Sequence, residues 1–238
     1  MRIAIIGIGG IGGYVGSRLA TSYAQSEKYE IVFIQRGEHY NAIKKSGLTY
    51  ITREAKTIFP YEIYEDIQQA GFFDVVFITV KSRDLEKTAL QIKNNLHEKS
   101  IIITLLNGIN NAQRLQKVLP ETNILNGCIY VSATITEPGV VKQTGGAGKL
   151  IFGSENGIIE PFIEIETLLI EAGIKAELTD NIKLAVWEKF VFISSWATIS
   201  SKYLKTVGQL LKNDDIVNEW KELIIEIMIC LLYTSRRG

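Results

Sequence analysis

MRIAIIGIGGIGGYVG, residues 1 to 16, joins an apolar run to a glycine-rich turn and the start of a helical pattern. Ile3 to Ile6 form a short, unbroken apolar run, which predicts a strand buried on both faces of a parallel sheet. The run leads directly into Gly7-Ile8-Gly9-Gly10-Ile11-Gly12, which satisfies G-x-G-x-x-G, and a helical pattern follows. Each glycine has a physical task there. Gly7 allows the tight turn from strand to helix, Gly9 lets a pyrophosphate approach the backbone, and Gly12 lets the helix pack closely on the strand. The free N–H groups and positive dipole end of the new helix would then face the phosphates. A glycine turn without a nucleotide is the alternative; the position between a strand and a helix favours the dinucleotide.

Downstream, the same alternation repeats. Strands are predicted at Glu30 to Ile34, Leu48 to Thr52, Asp74 to Val80 and Ile101 to Leu106. Helices are predicted after Gly12, from Glu38 to about Lys45, and from Lys81 to about Asn95. This order implies an α/β fold, a Rossmann-type doubly wound sheet with ligands beyond the carboxyl ends of its strands. From about Gly127 the texture changes. Cys128 to Thr136, Val140 to Gln143 and Lys149 to Phe152 read as shorter strands. Turns are expected at Pro138-Gly139 and at Gly145-Gly146-Ala147-Gly148. A helix from Ile159 to Glu171 and a last strand from Ile174 to Leu178 follow. Everything after Thr179-Asp180 reads as helix, which places the domains at 1–179 and 180–238.

Composition excludes several classes. The 26 basic and 26 acidic side chains balance, so no electrostatic footprint for nucleic acid or an acidic membrane is present. The apolar start ends at Gly7 with no cleavage site, so it is a strand and not a leader. IIEIMICLLY is the nearest approach to a membrane span, and it is short and interrupted by Glu226. Cys128 and Cys230 lie far apart, which fits a reduced, cytoplasmic protein. His39 and His97 stand in polar surroundings without ligand spacing, so no metal site is expected.

A second strand ending in Gln35-Arg36 lacks the carboxylate that an NAD site places there. A guanidinium can instead bind a 2′-phosphate by charge-assisted hydrogen bonds, which favours NADP. Arg36 as a plain surface residue and Glu38 as a rival ribose ligand remain open. Lys81 and Asn107 both directly follow buried strands, at the sheet edge where a cofactor would lie. Each alone could be a helix-start or turn residue. Lys189 lies in a segment, Leu184 to Ile199, whose only charges are Glu188 and Lys189. At helical spacing it is flanked by Ala185, Phe192, Ile193 and Trp196. A buried lysine there would be a proton donor of lowered pKa, and a lysine reaching solvent or a carboxylate is the alternative.

GIGGIG, Arg36, TVKSRD at 79–84, LLNGINN at 105–111 and WEKF at 187–190, in this order, resemble the ketopantoate reductases (2-dehydropantoate 2-reductases). The resemblance covers nearly the whole chain. It implies NADP binding by Gly7, Ile8, Gly9, Gly10, Ile11, Gly12, Arg36, Lys81 and Asn107, with Ala133 of the VSAT segment lining the cofactor. It also implies that Lys189 is the catalytic lysine and that Asn107 and Lys189 meet the substrate. The implied reaction is NADPH-dependent reduction of a 2-keto acid, ketopantoate to pantoate in pantothenate biosynthesis. A different 2-keto acid, or a non-catalytic nucleotide-binding fragment, are the alternatives.

Two departures follow from the resemblance. The family places asparagines one and two helical turns after the lysine, where this chain has Ile193 and Ala197. Its members also continue with further helices, whereas CLLYTSRRG departs from the pattern, so a truncated or incorrectly joined C-terminus and an incomplete helical domain are expected. The long apolar helices after Thr179 would suit a homodimer.

Overall fold

Alternating side chains of the central strands feed two separate cores. In the computed structural model, Ile3 and Ile5 of β1 (Arg2–Ile6) join one apolar cluster while Ala4 and Ile6 join the other. The same division holds for Ile31 and Phe33 against Val32 and Ile34 in β2 (Glu30–Ile34). That is why these strands are continuous apolar runs: both faces are covered. The structure describes residues 1–235 and side chains as far as Leu231; the end of the CLLYTSRRG tail, with the expectation attached to it, lies outside the described residues.

Between β1 and β2 runs α1 (Gly10–Ser22), and after β2 comes α2 (Gly37–Ser46). Three short strands follow, β3 (Leu48–Ile51), β4 (Ala55–Ile58) and β5 (Glu62–Tyr64). Next come β6 (Phe73–Ile78), α3 (Leu85–Ile92), β7 (Leu96–Thr104) and α4 (Asn111–Val118). A long hairpin of β8 (Asn123–Glu137) and β9 (Val140–Gly153) precedes α5 (Ile163–Glu171) and β10 (Lys175–Leu178). The sheet order is β4-β3-β9-β8-β7-β6-β1-β2-β5, with β10 also on β9. From β5 to β8 all neighbours are parallel, whereas β8 and β9 are antiparallel. The parallel part is thus a doubly wound sheet, and its order reverses between β1 and β6.

Three expectations need correction. The strand near Leu48 does not continue the parallel array: β3 alternates in burial and pairs with β9 and β4. The outer place beside β2 belongs to β5, whose three residues are too few to show a period. The segment after Gly127 is one hairpin and not several shorter strands. Its register shifts between Tyr130 and Ala133, and Gly146 and Gly148 adopt positive φ inside β9 without ending it. Through these irregularities the hairpin bends over α1, so Tyr14 of that helix is buried and donates its hydroxyl to the Gly148 carbonyl at 3.1 Å.

His39 is the third correction. It is buried at 7% exposure, not solvated. Its Nδ1 accepts the Gly139 N–H at 2.8 Å, tying α2 to the tip of the hairpin, so the proton of the neutral ring sits on Nε2. Nε2 closes no hydrogen bond among the described residues.

The chain divides into two compact units, Met1–Ile182 and a second from Lys183 onward. The second contains most of α6 (Ile182–Tyr203), then α7 (Val207–Leu210) and α8 (Asp214–Ser235). Its core is Ile199, Leu210, Ile216 and Trp220. The Trp220 indole N–H donates to the buried Ser195 hydroxyl at 3.0 Å. No helix among the described residues is long and apolar enough to cross a membrane.

Desolvation pushes His39 below its ordinary pKa of 6.5, and the backbone of Ile8 opposes it. As pH falls through 6.5 the unfolded chain takes the proton before the folded one, so stability should drop. Thermal melts between about pH 7.5 and 5.5 should show a fall in Tm that is shallower in His39→Gln. Parallel profiles would assign the effect to other groups.

Candidate functional site

At the carboxyl end of β1 the backbone turns on Gly7, whose φ of +90° suits glycine. Three strands clamp the turn. The Gly7 N–H donates to the Ile34 carbonyl at 2.9 Å, and the Gly9 N–H donates back to Gly7 at 2.9 Å. The Thr79 hydroxyl lies within hydrogen-bond reach of the carbonyls of Ile6 at 2.9 Å and Gly7 at 2.8 Å. The Ile8 N–H donates to Gln35 Oε1 at 2.7 Å. Ile8 itself is fully buried, so it gives the turn only backbone, and Ile11 is half-buried against the α1 core.

The glycines differ in what surrounds them. A Cβ on Gly12 would lie 2.1 Å from the Gly7 carbonyl oxygen, and one on Gly10 would lie 2.0 Å from that of Ala133. Gly9 has no atom within 4 Å of such a Cβ. So Gly10 and Gly12 are demanded by the protein's own packing, whereas Gly9 opens onto free space. Gly9 is also the N-cap of α1 and supplies no side-chain cap. The first-turn N–H groups of a 13-residue helix are thereby left for an anion.

A cleft of about 260 Å³ lies at the point where the strand order reverses, against the ends of β1, β2 and β6. Gly7, Gly9, Arg36 and Lys81 line it, together with Glu65 and Ile135. Four of the residues expected from sequence are thus brought together. The open face of Gly9, the uncapped helix and the Arg36 guanidinium fit the phosphates of a dinucleotide. Asn107 and Ala133 are not among the lining residues. Asn107 is exposed at the end of β7, and its carbonyl accepts from Asn111 Nδ2 at 3.2 Å. Ala133 takes part through its backbone, which lies over Gly10.

Lys189 belongs to the second unit. It is buried at 7% exposure on α6, where Ala185 and Val186 one turn earlier are buried as well. A lysine on such a face is expensive to desolvate and so stands out chemically. Ile193 is half-buried and Ala197 exposed on the same helix. Among the described residues no group of three or more His, Cys, Asp or Glu side chains is placed to hold a metal ion.

Three lining or supporting residues escaped the sequence reading. Ile135 reaches the cleft only because the hairpin bends over α1. Gln35 was legible as a missing carboxylate but not as the acceptor for Ile8. Glu65 depends on the pairing of β5 with β2, and no local pattern signals that.

Gly9→Ala should leave Tm within about 1–2 °C of the parent but weaken dinucleotide binding at least tenfold, whereas Gly10→Ala should lower stability by about 2 kcal/mol or more. Melting curves with and without nucleotide separate the two. Equal destabilisation by both would refute the division of labour.

The model of the family "Ketopantoate reductase PanE/ApbA" matches residues 3–157. The chain is similar to the uncharacterized oxidoreductase YkpB of Bacillus subtilis, with 28% identity over 97% of this chain and 75% of that protein. Among solved structures, 2-dehydropantoate 2-reductase from Porphyromonas gingivalis W83 superposes with a TM-score of 0.82 at 26% identity, covering 99% of this chain and 92% of that one. D-mandelate dehydrogenase, solved with NADH and anilino(oxo)acetate, shares the fold with a TM-score of 0.80 at 23% identity, over 97% of this chain and 80% of that one. With the family's match spanning well over half of its length, this chain belongs to the ketopantoate reductases, oxidoreductases that act on 2-keto acids with a nicotinamide cofactor.

Proposed function

We propose that the protein catalyses NADPH-dependent reduction of 2-dehydropantoate to pantoate. The observation that carries this reading is the meeting, in one cleft, of an open uncapped glycine turn with the Arg36 guanidinium. In this reading the backbone from Gly7 to Gly12 holds the pyrophosphate, Arg36 holds the 2′-phosphate, and Lys81 adds positive charge along the sheet edge. Asn107 and the backbone of Ala133 orient the nicotinamide end. The bound cofactor supplies a hydride to the 2-keto carbon.

Lys189 is proposed to donate a hydrogen bond, then a proton, to the carbonyl oxygen as negative charge develops on it. Burial favours that role, because the charge of a buried ammonium acts through a weaker dielectric. The second reading is a reductase of another 2-keto acid. Ile193 and Ala197 support it, since neither can hydrogen-bond a substrate hydroxyl. A cytoplasmic location is part of the proposal and fits Cys128 and Cys230, which form no disulfide. So is a homodimer through the second unit, where Ile225, Met228 and Ile229 of α8 are exposed.

Steady-state NADPH oxidation with ketopantoate beside a panel of 2-keto acids tests the assignment. Ketopantoate should give the highest kcat/KM; a preference of more than about tenfold for another acid selects the second reading. Lys189→Ala should lower kcat by about 10²–10⁴-fold while NADPH affinity stays within about twofold. Loss of both together would make Lys189 a structural residue.

A further inference from the structure

The end of the cleft beside β2 carries opposed charges, and their arrangement has a consequence for cofactor choice. Arg36 is the residue before α2 and is exposed, with its guanidinium in no ion pair among the described residues. Glu65, which directly follows β5, lines the same cleft. One Glu65 oxygen, Oε1, accepts the N–H of Gly37, the first residue of α2, at 2.8 Å. A carboxylate therefore already occupies the positive end of a ten-residue helix, at the edge of the pocket where a 2′-phosphate would need positive charge. The second oxygen takes no hydrogen bond among the described residues.

The strand pairing explains how Glu65 comes to be there. Ile34 of β2 is in register with Tyr64 of β5, and the Gln35 N–H donates to the Tyr64 carbonyl at 3.1 Å. Gln35 and Glu65 are thus neighbours just past the ends of adjacent parallel strands. In a doubly wound sheet the end of β2 supplies the carboxylate that accepts a ribose 2′-hydroxyl. Here that position is Gln35, and its side-chain oxygen is committed to Ile8. The neighbouring strand delivers a carboxylate in its stead. Asp66 also lines the cleft, but its Oδ1 caps the short helical turn that follows, accepting the Gln68 N–H at 3.0 Å. Lys44, farther along α2, is close enough to feel the Glu65 charge, and its ammonium donates to the Tyr40 hydroxyl at 2.9 Å.

We infer that Glu65 is a specificity-determining residue for the dinucleotide: it offers an acceptor to a ribose 2′-hydroxyl, opposes a 2′-phosphate, and leaves the site able to take NADH alongside NADPH. This rests on the reading of the cleft given under Proposed function. Arg36 and Glu65 pull in opposite directions, so the preference is a balance of two charges and not the property of one.

The test is direct binding of NADPH and NADH, followed by nucleotide fluorescence, to the parent and to Glu65→Gln, Asp66→Asn and Arg36→Ala. Glu65→Gln keeps an oxygen for the Gly37 N–H while removing the charge. It should tighten NADPH, weaken NADH, and raise the ratio of Kd for NADH to Kd for NADPH by about three- to tenfold. Asp66→Asn, the same charge change one residue away, should move the ratio far less. An unchanged ratio in Glu65→Gln, or an equal shift in Asp66→Asn, overturns the inference. Arg36→Ala should weaken NADPH alone; if it does not, the underlying assignment of the cleft fails, and the Glu65 result still stands or falls by its own ratio.

Discussion

Everything at the cleft depends on how closely α1 can approach other backbone. Within its first turn Gly12 sits on the Gly7 carbonyl and Gly10 lies under the Ala133 carbonyl, at separations that leave no room for a Cβ. These two contacts fix the start of the helix between the end of β1 and the overlying hairpin. Gly9, the residue that caps the helix, lines the cleft as a result. The hydrogen bond that Gln35 accepts and those from the Thr79 hydroxyl keep the intervening loop from relaxing. A looser junction would still be a strand followed by a helix, but its dipole would have no fixed target.

The second unit shows a different constraint. α6 is apolar on most sides, yet it buries Lys189 and Ser195. Ser195 is accounted for by the Trp220 indole, which would otherwise be a buried donor without an acceptor. Phe192 stacks on Trp196 with ring centroids 6.3 Å apart, so this part of the helix is held by aromatic packing. Lys189 lies one to two turns before that cluster. Packing of this kind holds a buried side chain such as Lys189 in few rotamers.

Much of this could be read from the residues. β1, β2, β6 and the second half of β7 announce themselves because two covered faces require an almost unbroken apolar run. The glycine turn, Arg36 and Lys81 were legible because each directly follows such a strand. The burial of Lys189 was legible from the apolar neighbours at helical spacing. What could not be read depends on pairing between distant segments. β5 has only Glu62, Ile63 and Tyr64, and its place beside β2 exposes nothing periodic. The hairpin looked broken because its glycines serve a bend inside β9. His39 looked solvated because its partner, Gly139, lies in another part of the chain.

The path of β3 and β4 carries a consequence for how the polypeptide matures. These strands lie at one end of the sheet and β5 at the other, yet only Phe59-Pro60-Tyr61 separates β4 from β5. β3 is secured by β9, and the Tyr50 hydroxyl donates to Gln143, 93 residues further on. During synthesis the first half of the chain therefore emerges with an unclosed edge, and ring-like closure around α1 waits for the hairpin. Such long-range pairing slows folding and prolongs the exposure of strand edges. A nascent chain halted before residue 140 would retain the parallel strands but lack the lid over its own first helix.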